Sequence, residues 1–224
     1  AEYEALKSLN HAHIVHYQYN GISNQGLYFT LMELLEGDNL GVYKTGNLRL
    51  REGEVYTMAS QLLSALVYMH GQEKPLFHRD IKPENIIFDK RRGYVLIDFN
   101  IASEADNQAF AGTMPYMAPD LINSSRKVMW DASADTFALG VTIYELLAHA
   151  YPWPGGKNLP QMSKRPTDIR EFNDRISDSF ASFAMRAIMP RREERFATAQ
   201  SMLEALEAVG LRGVLRRPKL QAAS

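Results

Sequence analysis

The sequence predicts an α+β chain in which a short β-rich beginning leads into a mostly helical body. Two apolar runs of strand length, Ile14 to Tyr19 and Leu27 to Leu34, flank a turn rich in Gly and Asn at residues 20–26. Apolar residues then recur at helical spacing from Val55 to Val67. Further on, Asp135 to Ala148 is almost continuously apolar, the pattern of a buried helix.

The elements follow in chain order. Ala5, Leu6 and Leu9 share one helical face, so residues 2–9 read as the end of a helix. The first strand pair follows, and Glu36-Gly37-Asp38-Asn39 breaks the pattern and marks the first boundary. Val55, Met58, Ala59, Leu62, Leu63, Leu66 and Val67 define one helix, stopped at Gly71. Ile86 to Phe88 and Tyr94 to Ile97 are short strands around a turn at residues 90–93. Phe180 to Met189 and Thr198 to Val209 are two more amphipathic helices, and Arg212, Arg216, Arg217 and Lys219 form a basic tail. Tyr151 to Gly156 reads as a rigid loop without chemistry.

Composition narrows the function. The 224 residues are 46% apolar, enough for one large core. A net charge of −1 gives no field suited to nucleic acid, so no nucleic-acid partner is expected. There is no cysteine, which removes disulfides and thiolate catalysis and is compatible with the expected cytoplasmic location. No apolar run reaches the roughly 18–20 residues of a membrane span. No signal peptide opens the chain, and its start inside a helical pattern without Met reads as a fragment.

The chemistry concentrates in His78-Arg79-Asp80-Ile81-Lys82-Pro83-Glu84-Asn85, then Asp98-Phe99, then Ala118-Pro119. Phosphoryl transfer needs this spacing: a carboxylate to aim an attacking hydroxyl, a cation beside the phosphoryl group, and hard oxygens for Mg²⁺. The pattern resembles the eukaryotic-type Ser/Thr protein kinase family, from Glu2 to about Val209. The resemblance implies a remnant of the small lobe and hinge at 1–35, a large lobe at 36–210 and a tail at 211–224. It also implies a chain cut inside the helix that carries Glu2, with no glycine-rich loop or phosphate-binding lysine in view.

By that resemblance Asp80 is the catalytic base, Lys82 neutralises the transferring group, and Asn85 and Asp98 hold Mg²⁺. ATP and Mg²⁺ are the implied cofactors, and the partner is a protein with a Ser or Thr acceptor; oligomeric state is open. Glu2 aligns with a glutamate that pairs with the lysine outside this sequence; it reads equally as a solvated helix residue. Met32 is the implied gatekeeper, with the Glu33 carbonyl and Leu35 N–H bonding the adenine edge. Ile87 is either the floor under adenine or plain strand core. Thr113, in Gly112 to Pro119, is expected near Asp80 and Lys82, and this segment with Lys82 points to Ser/Thr acceptors. Glu84 either binds a basic residue of the substrate or is an exposed loop carboxylate. Arg79 is the implied partner of a phosphosite in the activation segment.

Two positions depart from the family pattern: Asn100 stands where glycine is usual, and Asp120 where glutamate is usual, with Arg195 as its expected ion-pair partner. Ser103 is the sole hydroxyl residue between Asp98 and Gly112, so Glu104 or Asp106 is expected to supply the charge that orders the segment. Activity without loop phosphorylation follows, although the fragment alone is expected to be nearly inactive. The rival readings are a pseudokinase scaffold or allosteric module and a small-molecule phosphotransferase. Clustered His11, His13 and His16 are read as structural rather than as a zinc site.

Overall fold

The computed structural model describes residues 6–45, 49–99, 112–122, 130–155 and 157–215. Strands β1 (Tyr17–Ile22) and β2 (Tyr28–Met32) form an antiparallel hairpin. Two helices follow, a single turn α1 (Val42–Thr45) and the long α2 (Glu52–His70). A second antiparallel pair, β3 (Ile86–Asp89) and β4 (Gly93–Leu96), precedes α3 (Pro119–Ile122), α4 (Ala132–Ala148), α5 (Asp178–Ala187) and α6 (Ala199–Leu215).

The first strand begins at Tyr17 rather than Ile14. Residues 20–22, expected in the turn, pair instead with Thr30, Phe29 and Tyr28. Ile14 and its neighbours have another partner: the Val15 N–H donates to the Leu96 carbonyl at 3.0 Å and the Leu96 N–H to that of His13 at 3.0 Å. Residues 13–15 therefore extend the β4 edge and join the hairpin to the helical body.

The core is helical. Every residue of α4 after Ala132 is buried, in keeping with its largely apolar sequence. The Asp131 carboxylate caps α4, accepting the Ser133 N–H at 3.0 Å. At Gly140 a methyl group would sit 2.7 Å from the Ala187 Cβ, so glycine is what lets α4 and α5 touch. The buried face of α2 is Val55, Met58, Ala59, Leu62, Leu63, Ala65, Leu66 and Met69. Fully burying one such side chain contributes about 1.5–3 kcal/mol. Helix α6 runs past Val209 to Leu215, into the stretch expected as tail. Gly210 lies inside it, and since a side chain there would collide with Tyr56 of α2, the glycine serves close packing.

Candidate active site

The site is built on a loop that α4 holds from below. Asp135, in the first turn of α4, is fully buried. One oxygen accepts the His78 N–H at 2.9 Å and His70 Nε2 at 3.0 Å; the other accepts the Arg79 N–H and Trp130 Nε1–H, each at 3.0 Å. Burial pushes this carboxyl upward, but the His70 bond and the neighbouring donors outweigh it and hold it below the usual carboxylate range. The bonds also fix Arg79 at φ 69°, a conformation that costs a non-glycine residue about 1–3 kcal/mol unless its surroundings enforce it.

His78 is buried and supports the loop. The Asp80 N–H donates to His78 Nδ1 at 3.3 Å, so Nε2 carries the proton and donates to the Ile97 carbonyl at 3.0 Å. Burial drives its basicity below the ordinary histidine value.

Asp80 is saturated with donors. Its Oδ1 accepts the Thr113 N–H at 2.9 Å and the Thr113 hydroxyl at 2.8 Å. Its Oδ2 accepts Lys82 Nζ at 2.6 Å and Asn85 Nδ2 at 3.0 Å. Lys82 Nζ also reaches Thr113 Oγ1 at 2.8 Å, and Asn85 Nδ2 the Asp80 carbonyl at 2.8 Å. Partial burial raises the Asp80 carboxyl, but the Lys82 and Thr113 bonds override it and hold the group below its ordinary value. The expected meeting of Thr113 with Asp80 and Lys82 is observed. With both amide hydrogens of Asn85 turned to Asp80, its Oδ1 is left as an oxygen donor.

Asp98 is exposed and adopts φ 55°, the second strained non-glycine backbone of the site. Asp80 and Asp98 both bias the His78 ring toward its charged form, so each carboxylate lies within electrostatic reach of that ring. Behind them runs a column: the Tyr17 hydroxyl accepts the Phe99 N–H at 3.2 Å, and the Phe99 ring packs 5.7 Å from Tyr17 and 4.4 Å from His78. It links β1 to the loop. Leu6 is buried in the same hydrophobic core.

Met32 and Leu35 are half-buried against the core, and Ile87 is half-buried and bridged to Asn39. Among the described residues neither the Glu33 carbonyl nor the Leu35 N–H has a backbone partner. The Glu33 side chain has a use the sequence did not suggest. It accepts the His16 N–H at 2.8 Å and forms an ion pair with Arg92. Arg92 also donates to the carbonyls of Ala12 at 2.8 Å and Ile14 at 2.8 Å.

The chain matches the protein kinase domain over residues 1–206. It is a member of the protein kinase family. The kinase pkn3 of Myxococcus xanthus is 30% identical over 93% of this chain and 41% of its own length. PrkC of Bacillus subtilis is 26% identical over 90% of the chain and 32% of its own. Both carry the name serine/threonine-protein kinase. This kinase chain thus spans well under half the length of these relatives. In fold it is similar to the PknI kinase domain of Mycobacterium tuberculosis, with a TM-score of 0.70 at 23% identity over 92% of this chain and 75% of that one. The kinase family generally uses ATP and Mg²⁺ and acts on proteins. Among the described residues no helix is long and apolar enough to cross a membrane.

Several expectations for this kinase resolve residue by residue. Arg195 pairs directly with Asp120, so the shorter acid needs no bridging water; its guanidinium also donates to the Met189 carbonyl at 2.7 Å. His11 stacks on Tyr68 and bonds Ser64 at 3.1 Å, and His13 bonds the Tyr94 carbonyl at 2.9 Å; the described residues hold no three-ligand metal cluster. Glu84 is part-exposed and forms an ion pair with Lys44 at 2.9 Å. Tyr151, read as chemically silent, belongs to the same cluster, with its hydroxyl 3.2 Å from Lys44. Lys44, Glu145, His70 and Arg92 went unread because their partners lie far off in sequence, and Trp130 went unread although its partner Asp135 is only five residues away. Glu2, Asn100, Ser103, Glu104 and Asp106 lie outside the described residues.

Proposed function

We propose that the protein carrying this chain transfers the γ-phosphoryl group of Mg-ATP to serine or threonine hydroxyls of proteins. The observation that carries the reading is the convergence of Lys82, Asn85 and Thr113 on the Asp80 carboxylate. In the reaction the acceptor oxygen forms the new O–P bond as the β–γ bridging bond breaks. ADP departs, and the hydroxyl proton leaves by way of Asp80.

Asp80 acts chiefly by orientation. A carboxyl held below its ordinary value is a weak base, but a loose phosphoryl-transfer transition state asks for little proton abstraction before bond cleavage. All four of its observed bonds come from protein donors, so an incoming hydroxyl takes the place of one of them. The shared position of Thr113, on both Asp80 and Lys82, makes its hydroxyl the natural one to yield. Lys82 stabilises charge on the group in flight. Asn85 Oδ1 and the Asp98 carboxylate are hard oxygen donors that fit Mg²⁺, which when bound neutralises phosphate charge. Met32, Glu33, Leu35 and Ile87 receive adenine, and Arg79 and Glu2 keep the roles the resemblance implies. Residues 1–35 act as small lobe and hinge, 36–210 as large lobe and 211–224 as a tail. Consumption of Mg-ATP favours a cytoplasmic setting.

The test is transfer of labelled γ-phosphate by the full-length protein to serine, threonine and tyrosine peptides and to an aminoglycoside. Labelling of serine or threonine alone is expected, with little transfer by residues 1–224 in isolation. Nucleotide-dependent thermal stabilisation without transfer would make the protein a pseudokinase, and labelling of the aminoglycoside alone a small-molecule phosphotransferase.

A further inference from the structure

Beside the catalytic loop a lysine ammonium is enclosed by two carboxylates and two phenols. Lys44 Nζ, from α1, lies 2.9 Å from Glu84 Oε1, 3.1 Å from Glu145 Oε1, 3.1 Å from the Tyr116 hydroxyl and 3.2 Å from that of Tyr151. It also faces the rings of Tyr116 and Tyr151 at 5.6 and 5.7 Å. Glu145 comes from α4 and its side chain is only 7% exposed. Its other oxygen accepts the Tyr116 hydroxyl. Glu84 Oε2 is buried and has no hydrogen-bond partner among the described residues. The niche is thus built for a cation and has capacity for one more donor.

Its location gives the cluster a bearing on substrate choice. Glu84 follows Lys82 by two residues, and Tyr116 follows Thr113 by three; Lys82 and Thr113 both touch Asp80. The niche therefore adjoins the place where an acceptor peptide must lie. Two partly desolvated carboxylates without a counter-cation would select a basic side chain there, because an unpaired buried charge is costly and an arginine fork satisfies two acids at once.

We propose that Lys44 is a built-in occupant of this niche, satisfying Glu84 and Glu145 from within the chain and so relieving the peptide site of any need for a basic residue. Lys44 is then a specificity-determining residue. Its effect is negative: it removes a preference the two acids would impose. The inference rests on the protein-kinase reading of the site but is tested without phosphoryl transfer.

The experiment uses the full-length protein and fluorescent serine peptides of identical sequence, with one arginine walked along the positions flanking the serine and an all-alanine control. Binding is read by anisotropy. Wild type should bind all peptides within about twofold of the control, and Lys44→Met should favour arginine at one register by about tenfold. Lys44→Arg should keep the flat profile. Lys44→Met with Glu84→Gln should return toward it, since the niche regains its original net charge. A tenfold arginine preference in wild type overturns the proposal and needs no variant. So does a flat profile in Lys44→Met, or in Lys44→Gln should the first fail to fold, when nucleotide affinity and melting match wild type. A protein that binds peptides as stated but transfers no phosphate sinks the kinase reading and leaves the Lys44 assignment standing.

Discussion

The β1–β2 hairpin and the helical body both carry large apolar side chains, yet the hairpin leaves most of its own open to solvent while α4 buries nearly all of them. Tyr28 is 86% exposed and Ile22 59%, whereas Phe137 and Val141 of α4 are completely buried. An isolated two-stranded hairpin is marginal in water. This one is fastened at its base, by the Tyr17–Phe99 bond and by the Arg92 clamp on Glu33 and residues 11–14. The difference separates two halves of the chemistry. Asp80, Lys82, Asn85 and Thr113 are organised by the helical body alone, while Met32, Glu33 and Leu35 sit where hairpin and body join. The groups assigned to transfer are preorganised, and the groups assigned to adenine depend on the clamp.

The sharpest way to break that comparison is at the support of the helical body. Asp135→Ala leaves buried donors of His78 and Arg79 unpaired and should cost about 3–5 kcal/mol in denaturant unfolding. It should also change the acid limb. A carboxyl held low in the folded state stabilises fully above its unfolded pKa of about 3.9 and loses that contribution as pH falls through the lower folded value. Wild-type stability should therefore drop on acidification below about pH 4, and the variant should show a shallower drop. Leu62→Ala, in the fully buried face of α2, comes next at about 2–5 kcal/mol.

Arg92→Ala tests the joint. It should cost about 1–2 kcal/mol, since the ion pair is part-exposed but three backbone carbonyls lose a charged donor. Hydrogen exchange should rise in residues 13–22 and 28–33 and stay unchanged in α4. Tyr28→Ser, on the open face, should move stability by no more than about 0.5 kcal/mol. A loss as large as that of Leu62→Ala would show that the hairpin face is covered in solution.

The sequence made contiguous chemistry legible and distant chemistry illegible. Asp80, Lys82 and Asn85 fall within six residues, so their spacing alone announced a shared site. Asp135 was legible only as the start of a buried helix, since the loop it holds lies 56 and 57 residues earlier. Glu145, in the same helix, was lost within an apolar run, and its partner Lys44 stands 101 residues away by number. Arg92 read as a turn residue, since its clamp joins the chain to residues about 60–80 positions earlier. The hairpin ends were misplaced because Asn20 and Gly21 have turn chemistry but are paired in β1.

The most direct test of the account is the single-turnover rate of phosphate transfer in the full-length protein and its Asp80→Asn variant at saturating Mg-ATP. Loss of the carboxylate that aims the acceptor should lower the rate by about 10³-fold or more while nucleotide affinity stays within about twofold of wild type. A variant that transfers phosphate at the wild-type rate would contradict it.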